Sequence, residues 1–230
     1  MAARNNVMVD LETMGNTPGC AIIAIGAVEF SVSGGLGRSF YTTIDLSDAC
    51  AQGLHMDPST VQWWMDQDAN VRRDSMRGTD TLKGALEAFG KWLVDNDLQE
   101  ACLWGNGSDF DNVLLTAAYK AIGWATPPWK FYANRCYRTL KGMFPDHKIQ
   151  RLGDHHNALD DAKSQALHAC ALLGAVERTS ALVSSVSSVS EQLFDLVEKM
   201  TTSGQAPSAL VLLELANELT STSLVPGASR

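Results

Sequence analysis

The stretch Val7-Met8-Val9-Asp10-Leu11-Glu12-Thr13 (VMVDLET) opens the first regular element and carries the first chemical signal. Its short, β-branched apolar run predicts a buried strand. Residues two apart in a strand point to one face, so Asp10 and Glu12 present their carboxylates side by side. Such hard oxygen ligands suit Mg²⁺ or Mn²⁺. A solvated strand end is the alternative interpretation, because an Asp-x-Glu triplet arises by chance in many acidic proteins.

Outward from this strand, the hydrophobic pattern predicts three strands, then helices, a fourth strand and two further helices. Gly34 and Gly35 supply a hairpin turn, and Ser59 with Gln62 matches a capping box that opens a short helix. The other predicted elements are strands at Ala21–Val32, Ser39–Ile44 and Ala101–Trp104, helices at Thr81–Val94, Asp109–Ile122 and Asn157–Leu173, and an irregular stretch after Pro128.

Composition limits the classes of protein to consider. The chain has 230 residues, 45% of them hydrophobic, and a formal net charge of -8. This negative charge argues against extensive electrostatic binding of duplex nucleic acid, which normally requires a basic domain. The five cysteines are scattered, which indicates neither a disulfide framework nor a zinc site. No signal peptide and no apolar stretch of membrane-spanning length are expected, so we predict a soluble cytoplasmic protein without a membrane partner.

The composition changes near Glu177 to Ser, Val, Leu and Ala, with apolar residues at helical spacing. Gly204 to Pro207 interrupts this pattern, which predicts a C-terminal helical hairpin. We expect the hairpin to pad the core or to form a dimer contact, so a homodimer is a possible assembly. The predicted organisation is a catalytic domain at 1–175, a helical extension at 176–220 and a loose tail at 221–230.

A second acidic element lies in WGNGSDFDN, residues 104–112. Asp111 falls in the first turn of a helix that follows a buried strand and a glycine break. Asp109 competes for the same role, and its alternative interpretation is a helix N-cap. Asp111 can likewise be a first-turn acid favoured by the helix dipole. Glycines here would let a nucleotide approach the backbone closely.

A third element, HHNALDD at residues 155–161, places a histidine five residues before an acid. His156 then lies in a loop or first turn, and Asp161 lies farther along the helix. Histidine titrates near neutrality, so His156 can take a proton from an attacking water without ligating the metal. Asp160 is the surface-facing alternative to Asp161, because Ala158 and Ala162 mark the buried face of the helix.

These three segments resemble the Exo I, Exo II and Exo III motifs of the DEDDh 3′-5′ exonucleases, over about residues 6–173. Together with STVQWWMDQ (59–67) and FYANRCYRT (131–139), they look most like the phage and prophage exonucleases grouped with phage exonuclease A. The resemblance implies an α/β fold, a ribonuclease H-like mixed sheet flanked by helices. It also implies that Asp10, Glu12, Asp111 and Asp161 hold two divalent cations and that His156 activates water.

The expected activity is therefore metal-dependent 3′-5′ exonucleolytic hydrolysis of single-stranded DNA or RNA, with Glu12 and His156 in the catalytic machinery. Nucleoside 5′-monophosphates would be released. The alternative is a catalytically inactive nucleic-acid-binding or assembly protein on the same fold.

Candidate substrate contacts lie elsewhere in the chain. A run of basic residues between Lys130 and Arg151 contains Arg138, which is the expected phosphate clamp. Trp63 and Trp64 could stack on terminal bases, although successive helical residues point about 100 degrees apart and one of them could be buried instead. Asn106, in the glycine break, is a further candidate. Cys136 stands where relatives often carry an acid, and core packing is its expected role.

Overall fold

The computed structural model describes residues 5–202 and 206–223. The chain divides into two compact units, residues 1–173 and 174–230. The predicted tail at 221–230 and the Gly204–Gln205 part of the predicted hairpin turn lie largely outside the described residues.

A mixed five-stranded sheet forms the centre of the first unit, with the strand order β3-β2-β1-β4-β5. The β1–β2 and β2–β3 pairs are antiparallel, whereas β1–β4 and β4–β5 are parallel. The strands are β1 (Asn6–Thr13), β2 (Ile22–Ser31), β3 (Gly35–Thr43), β4 (Cys102–Gly105) and β5 (Asn134–Cys136). This arrangement confirms the predicted α/β mixed sheet, and β5 is a strand that the sequence pattern did not reveal.

Helices of the first unit cover both faces of this sheet. The helices of the described chain are α1 (Leu46–Ala51), α2 (Pro58–Met65), α3 (Ala69–Met76), α4 (Leu82–Asp95), α5 (Asp111–Ala121), α6 (Tyr137–Gly142), α7 (Ala158–Thr202) and α8 (Ala206–Ser223), the last of which belongs to the second unit. A 3₁₀ turn at Phe131–Ala133 precedes β5. The region after Pro128 is therefore more regular than the sequence predicted.

Two apolar clusters follow from the alternation of side chains along the strands. On one face, Val7 and Val9 pack with apolar residues of α4 and α5, such as Phe89 and Leu115. On the other face, the neighbouring Met8 packs with α6 and α7; this cluster includes Val28, Phe30, Trp104, Tyr137, Ala162, Ala166 and Ala169. Small residues on α7 let this helix approach the sheet closely.

The closest approach lies at Gly26 of β2. A Cβ atom at this residue would collide with backbone atoms of Ala158 and Leu159, in the first turn of α7. Gly26 pairs with Asp10 in the β1–β2 register. The absence of a side chain at Gly26 therefore allows the start of α7 to lie against the sheet beside Asp10.

Two local predictions about helix starts were wrong. Ser59 does not cap α2, because Pro58 occupies the first helical turn and Asp57 takes the N-cap position. Proline is favoured there, since its fixed φ suits the helix and its missing N–H would have been unpaired. Asp109 does not cap α5 either: Phe110 is the N-cap residue, and Asp109 is exposed.

In the second unit, the C-terminal part of α7 and α8 form a helical pair. The Ser190 hydroxyl donates to the Ala216 carbonyl at 3.3 Å, and both residues are buried. Residues of the two successive helices thus meet, as in the predicted αα-hairpin. Helix α7 runs unbroken from Ala158 to Thr202, although the sequence pattern predicted separate helices. Large apolar side chains of this unit are exposed, including Leu182 and Val211.

By length and composition alone, α7 also qualifies as a membrane-spanning helix among the described residues. This finding differs from the expectation that no segment would be long and apolar enough. The qualifying window has a mean hydropathy of 1.2, and helices of soluble proteins reach the same value.

Candidate active site

The ends of the parallel strands β1 and β4 bring the first acids to one edge of the sheet. Met8 pairs with Trp104, so both strands run toward the same edge. Asp10 and Glu12 lie two residues apart at the end of β1. Carboxylate oxygens of Asp10, Glu12 and Asp161 all lie within 4.8 Å of one another. Three of the four predicted ligands therefore form one cluster, although Asp161 is about 150 residues from the others in sequence.

The first turn of α7 positions Asp161. The Asn157 side chain accepts hydrogen bonds from the backbone N–H groups of Leu159 and Asp160, as an N-cap residue does. One Asp161 oxygen accepts from the backbone N–H of His156 at 3.1 Å, and the other accepts from the Arg151 guanidinium at 2.5 Å. Asp160 instead lies beside Lys163 and accepts from the Asp154 N–H. Asp161 thus faces the cluster, as predicted from the helix pattern.

Asp111 is the first residue of α5 and is almost completely buried, with 1% of its surface exposed. Its Oδ2 accepts from the backbone N–H of Asn106 at 2.6 Å. Its Oδ1 is buried without a hydrogen-bond partner among the described residues. Gly105 makes room for this side chain, because a Cβ there would lie 3.0 Å from it. Asp111 lies outside the 4.8 Å cluster but is close enough to affect the titration of its members.

The pKa values of these acids are shifted upward. Burial, then the charges of Asp111 and Glu12, raise the pKa of Asp10 well above its ordinary value. Burial and the charges of Asp161 and Asp111 raise the pKa of Glu12 to about 8. Burial raises the pKa of Asp111 to about 6, although hydrogen bonds from backbone amides oppose this shift. The carboxylates thus repel one another in a poorly solvated place, which is unfavourable unless a cation or protons compensate.

This donor set fits divalent cations. It offers several carboxylate oxygens, of which Asp111 Oδ1 is buried and unpartnered in the described part of the chain. Hard oxygen ligands and excess negative charge are the features that Mg²⁺ and Mn²⁺ sites share. Asp10, Glu12, Asp111 and Asp161 are the residues that could hold such ions.

His156 lies directly before α7 with a backbone φ of 66°, in the left-handed region that residues other than glycine rarely occupy. Its N–H donates to Asp161, and its carbonyl accepts from the Ser75 hydroxyl at 3.3 Å. Burial, followed by the charge of His155, lowers the pKa of His156. A neutral imidazole is held beside the acids, and it can accept a proton. One ring nitrogen also lies within 4.8 Å of an Asp161 oxygen, together with one of His155.

The sequence reasoning missed Gln165 and named Arg151 only as the last member of the basic run. Gln165 Nε2 donates to Asp10 Oδ1 at 2.7 Å, whereas its Oε1 is buried without a partner among the described residues. Arg151 binds Asp161, as described above. Gln165 lies one helical turn after Asp161, so the i, i+4 spacing on α7 could have indicated that both face the same side.

Two cavities adjoin His155 and His156. One, of about 210 Å³, is lined by the acids Asp10, Glu12 and Asp161, by Asn106 and Gln165, and by the basic residues Lys141 and Arg151. The other, of about 340 Å³, lies between α3 and the loop before α7 and has Asp68 and Asp154 in its lining. Both cavities therefore have acids on their walls, and the 210 Å³ cavity has the basic residues Lys141 and Arg151 as well.

The predicted substrate-binding residues occupy different environments. Trp64 is buried, and its indole N–H donates to the Thr13 carbonyl at 2.9 Å. Trp63 is 41% exposed and packs edge-on against His156, with ring centroids 4.9 Å apart. Asn106 lines the cavity of the acids. Arg138 is exposed near Gly107, and its charge lowers the pKa of Asp111.

Cys136 ends β5 and is the N-cap residue of α6. Its sulfur accepts from the backbone N–H of Thr139 at 3.4 Å. It is half-buried, so its local role is to cap a helix as well as to pack. An acid at this position could make the same capping contact.

The comparisons with known proteins agree with this architecture. A family model described as the 3′-5′ exoribonuclease Rv2179c-like domain matches residues 5–173. No curated protein sequence matches the chain. E. coli Exonuclease I in complex with a dT13 oligonucleotide has a TM-score of 0.52 at 13% identity, covering 80% of this chain and 43% of that chain. The same enzyme with a dA16 oligonucleotide has a TM-score of 0.49 at 13% identity, covering 76% and 41%.

The chain therefore spans less than half the length of these Exonuclease I chains. At such identity, the similarity to the dT13 complex shows the fold alone, and it confirms the predicted ribonuclease H-like architecture.

Proposed function

Because the chain belongs to the family of the 3′-5′ exoribonuclease Rv2179c-like domain, we propose that it is a metal-dependent 3′-5′ exonuclease of single-stranded nucleic acid. The observation that carries the proposal is the clustering of Asp10, Glu12 and Asp161 within 4.8 Å, beside buried Asp111 and a pKa-lowered His156. The narrower likeness to phage and prophage exonucleases stays a prediction.

The residues of the site divide into proposed metal ligands, a proton acceptor and a positioning residue. Asp10, Glu12, Asp111 and Asp161 would hold two divalent ions, of Mg²⁺ or Mn²⁺. Bound there, the ions would supply Lewis-acid chemistry that activates a water and stabilises the leaving 3′ oxygen. Neutral His156 takes the proton of this water. Gln165 keeps Asp10 oriented through its 2.7 Å hydrogen bond. The products would be nucleoside 5′-monophosphates.

The distribution of charge supports binding at a 3′ end. Lys141 and Arg151 on the wall of the 210 Å³ cavity can receive the phosphates of the upstream chain. Asp68 and Asp154 in the 340 Å³ cavity repel phosphate but can accept hydrogen bonds from a terminal hydroxyl or from base N–H groups. Pockets of this size accommodate one small ligand, so the terminal nucleoside fits here better than a longer segment. Asn106 would contact the substrate inside the 210 Å³ cavity, Trp63 would contact it beside His156, and Arg138 would bind phosphate outside the cavities.

The direct test measures nucleotide release from end-labelled single-stranded RNA and DNA, each with Mg²⁺, Mn²⁺ or EDTA. The family description favours RNA, and both polymers should be tried. We expect release only with a divalent ion and only from a free 3′-hydroxyl end. Release from a 5′ end, or equal rates on a 3′-phosphate end, would contradict the proposed polarity.

The test of the metal assignment uses Asp10→Asn, which keeps the side-chain shape and removes one charge. We expect the rate to fall roughly 10²–10³-fold. Asp109→Asn is the matched control, because it removes an exposed acid of the second motif and should leave the rate unchanged. Full activity of Asp10→Asn would contradict the assignment of Asp10 as a metal ligand.

The proposal for the domains assigns catalysis to residues 1–175 and assembly to the helical extension at 176–220. Exposed Leu182 and Val211 support a homodimer contact in the second unit. Truncation after residue 175 should then retain nuclease activity and leave a monomer in sedimentation. Five free thiols in the described residues support a reducing, cytoplasmic location for the enzyme.

A further inference from the structure

We propose that Arg151 is a built-in counter-ion that competes with a divalent cation for Asp161 and binds a substrate phosphate once displaced. The inference rests on the proposed function. It adds a residue that couples occupation of the metal site to recognition of the substrate backbone.

The first observation is the ion pair between Arg151 and Asp161. Its N–O distance is 2.5 Å, and the two side chains are 50% and 11% exposed, respectively. Within the described part of the chain, the site acids Asp10, Glu12 and Asp111 make no ion pair. Among the described site acids, the guanidinium of Arg151 therefore contacts only Asp161, in the first turn of α7.

The second observation is that both oxygens of Asp161 are already engaged. Oδ2 accepts from the His156 backbone N–H at 3.1 Å, and Oδ1 accepts from Arg151. The backbone donor is fixed by the position of His156 at the helix start. A divalent cation bound to the remaining lone pair of Oδ1 would lie close to the positively charged guanidinium and repel it, so the cation and Arg151 compete for Asp161.

The third observation concerns where the displaced guanidinium can go. Arg151 lies in the loop before α7 and lines the same cavity as Asp10 and Glu12. Half of its side chain is exposed, so it can change rotamer without opening the core. A planar guanidinium binds two phosphate oxygens at once, which suits a substrate phosphate held beside the acids. The same positive charge thus balances Asp161 before an ion binds and the substrate afterwards.

The experiment titrates Mn²⁺ into the full chain without substrate and measures free Mn²⁺ by electron paramagnetic resonance. We expect Arg151→Ala to bind Mn²⁺ about 3–10-fold more tightly than wild type, because the competitor is gone. Lys141→Ala is the matched control: it removes a positive charge from the same cavity wall, and its affinity should change less than 2-fold. Arg151→Lys keeps the charge but loses the planar fork, so it should lie between Arg151→Ala and wild type.

A second readout separates this role from a structural one. Arg151→Ala should raise the KM for an oligonucleotide about 10-fold while binding Mn²⁺ more tightly, so the two effects have opposite signs. Weaker or unchanged Mn²⁺ affinity in Arg151→Ala, in a chain that still binds the ion and melts normally, would overturn the inference. If Arg151→Ala fails to fold, an affinity of Arg151→Lys no tighter than wild type would overturn it equally. Absence of Mn²⁺ binding to wild type would instead refute the proposed function on which it rests.

Discussion

Replacing Gly26 by alanine should inactivate the site without changing any of its acids or His156. A Cβ at Gly26 would lie well under 3.0 Å from backbone atoms of Ala158 and Leu159, whereas ordinary contacts begin at 3.4 Å. Backbone atoms cannot rotate away, so the start of α7 must retreat by roughly 1 Å. Asp161 moves with the helix, while Asp10, paired with Gly26, stays on the sheet.

The expected consequences are unequal. Overpacking typically costs about 1–3 kcal/mol of folding free energy, which a chain of this size tolerates. A misplacement of about 1 Å in a catalytic constellation can reduce the rate roughly 10²-fold. The assay compares nucleotide release, Mn²⁺ affinity and melting temperature of Gly26→Ala and wild type. We expect loss of activity and weaker Mn²⁺ binding in a folded protein.

Gly142→Ala is the matched control, since a Cβ at this helical residue meets nothing within 4 Å. It should keep full activity, and its stability should be unchanged or slightly higher. If Gly26→Ala kept more than about a third of the wild-type rate, the argument that close packing of α7 sets the position of Asp161 would be wrong.

Three other perturbations probe the site. Burial and neighbouring charges raise the pKa of Glu12 to about 8, so the folded protein without metal is more stable while Glu12 is protonated. The melting temperature in EDTA should therefore fall as the pH rises from about 4.5 to about 8. Glu12→Gln should show a shallower decline, and equal slopes for this variant and wild type would count against the raised pKa. Asparagine tolerates the positive φ of residue 156, so His156→Asn should keep the local backbone. This variant should lower kcat about 10²–10⁴-fold and keep its Mn²⁺ affinity within 2-fold of wild type. A large loss of Mn²⁺ affinity would indicate that His156 is a metal ligand. Trp63→Ala should raise the KM about 5-fold or more, the equivalent of about 1 kcal/mol or more of base stacking, with little change in melting temperature. Trp64→Ala should instead lower the free energy of unfolding by about 3–5 kcal/mol, because this indole is buried. The reverse pattern would mean that Trp64 contacts the substrate and Trp63 supports the fold.

The element order and the side on which the acids lie could be predicted from the sequence because both depend on local spacing. The period of two in β1 put Asp10 and Glu12 on one face, and the helical period at Ala158 and Ala162 distinguished Asp161 from Asp160. The predicted α/β sheet was confirmed because long apolar strands and amphipathic α4 show clear periodicity.

Other features depend on contacts between distant segments, which local patterns do not encode. The hydrogen bond from Gln165 to Asp10 joins residues 155 positions apart. The contact of Gly26 with α7 likewise arises only when the helix lies on the sheet. Strand β5 has three residues and owes its conformation to pairing with β4, so it carries no pattern of its own.

The local errors have local causes. The Ser59 capping box failed because the helix starts two residues earlier than predicted: Asp57 is the N-cap residue, and Pro58 takes the first helical position, where proline is favoured. The second error was the prediction of separate helices within α7, which was based on a change in composition. A helix ends at a breaking residue and not where the composition changes, and Gly174 alone does not interrupt α7.

The edge-on contact of Trp63 with His156 gives the protein an optical reporter. Of the six tryptophans, all of which lie in the described residues, Trp63 is the only exposed one, and the others are buried or half-buried. Its fluorescence should respond to a soluble quencher more than that of the others, and a charged imidazole near its ring should alter the emission. Movement of the loop before α7, which carries His156, the proposed proton acceptor, can thus be followed through Trp63 fluorescence by stopped-flow in unlabelled protein.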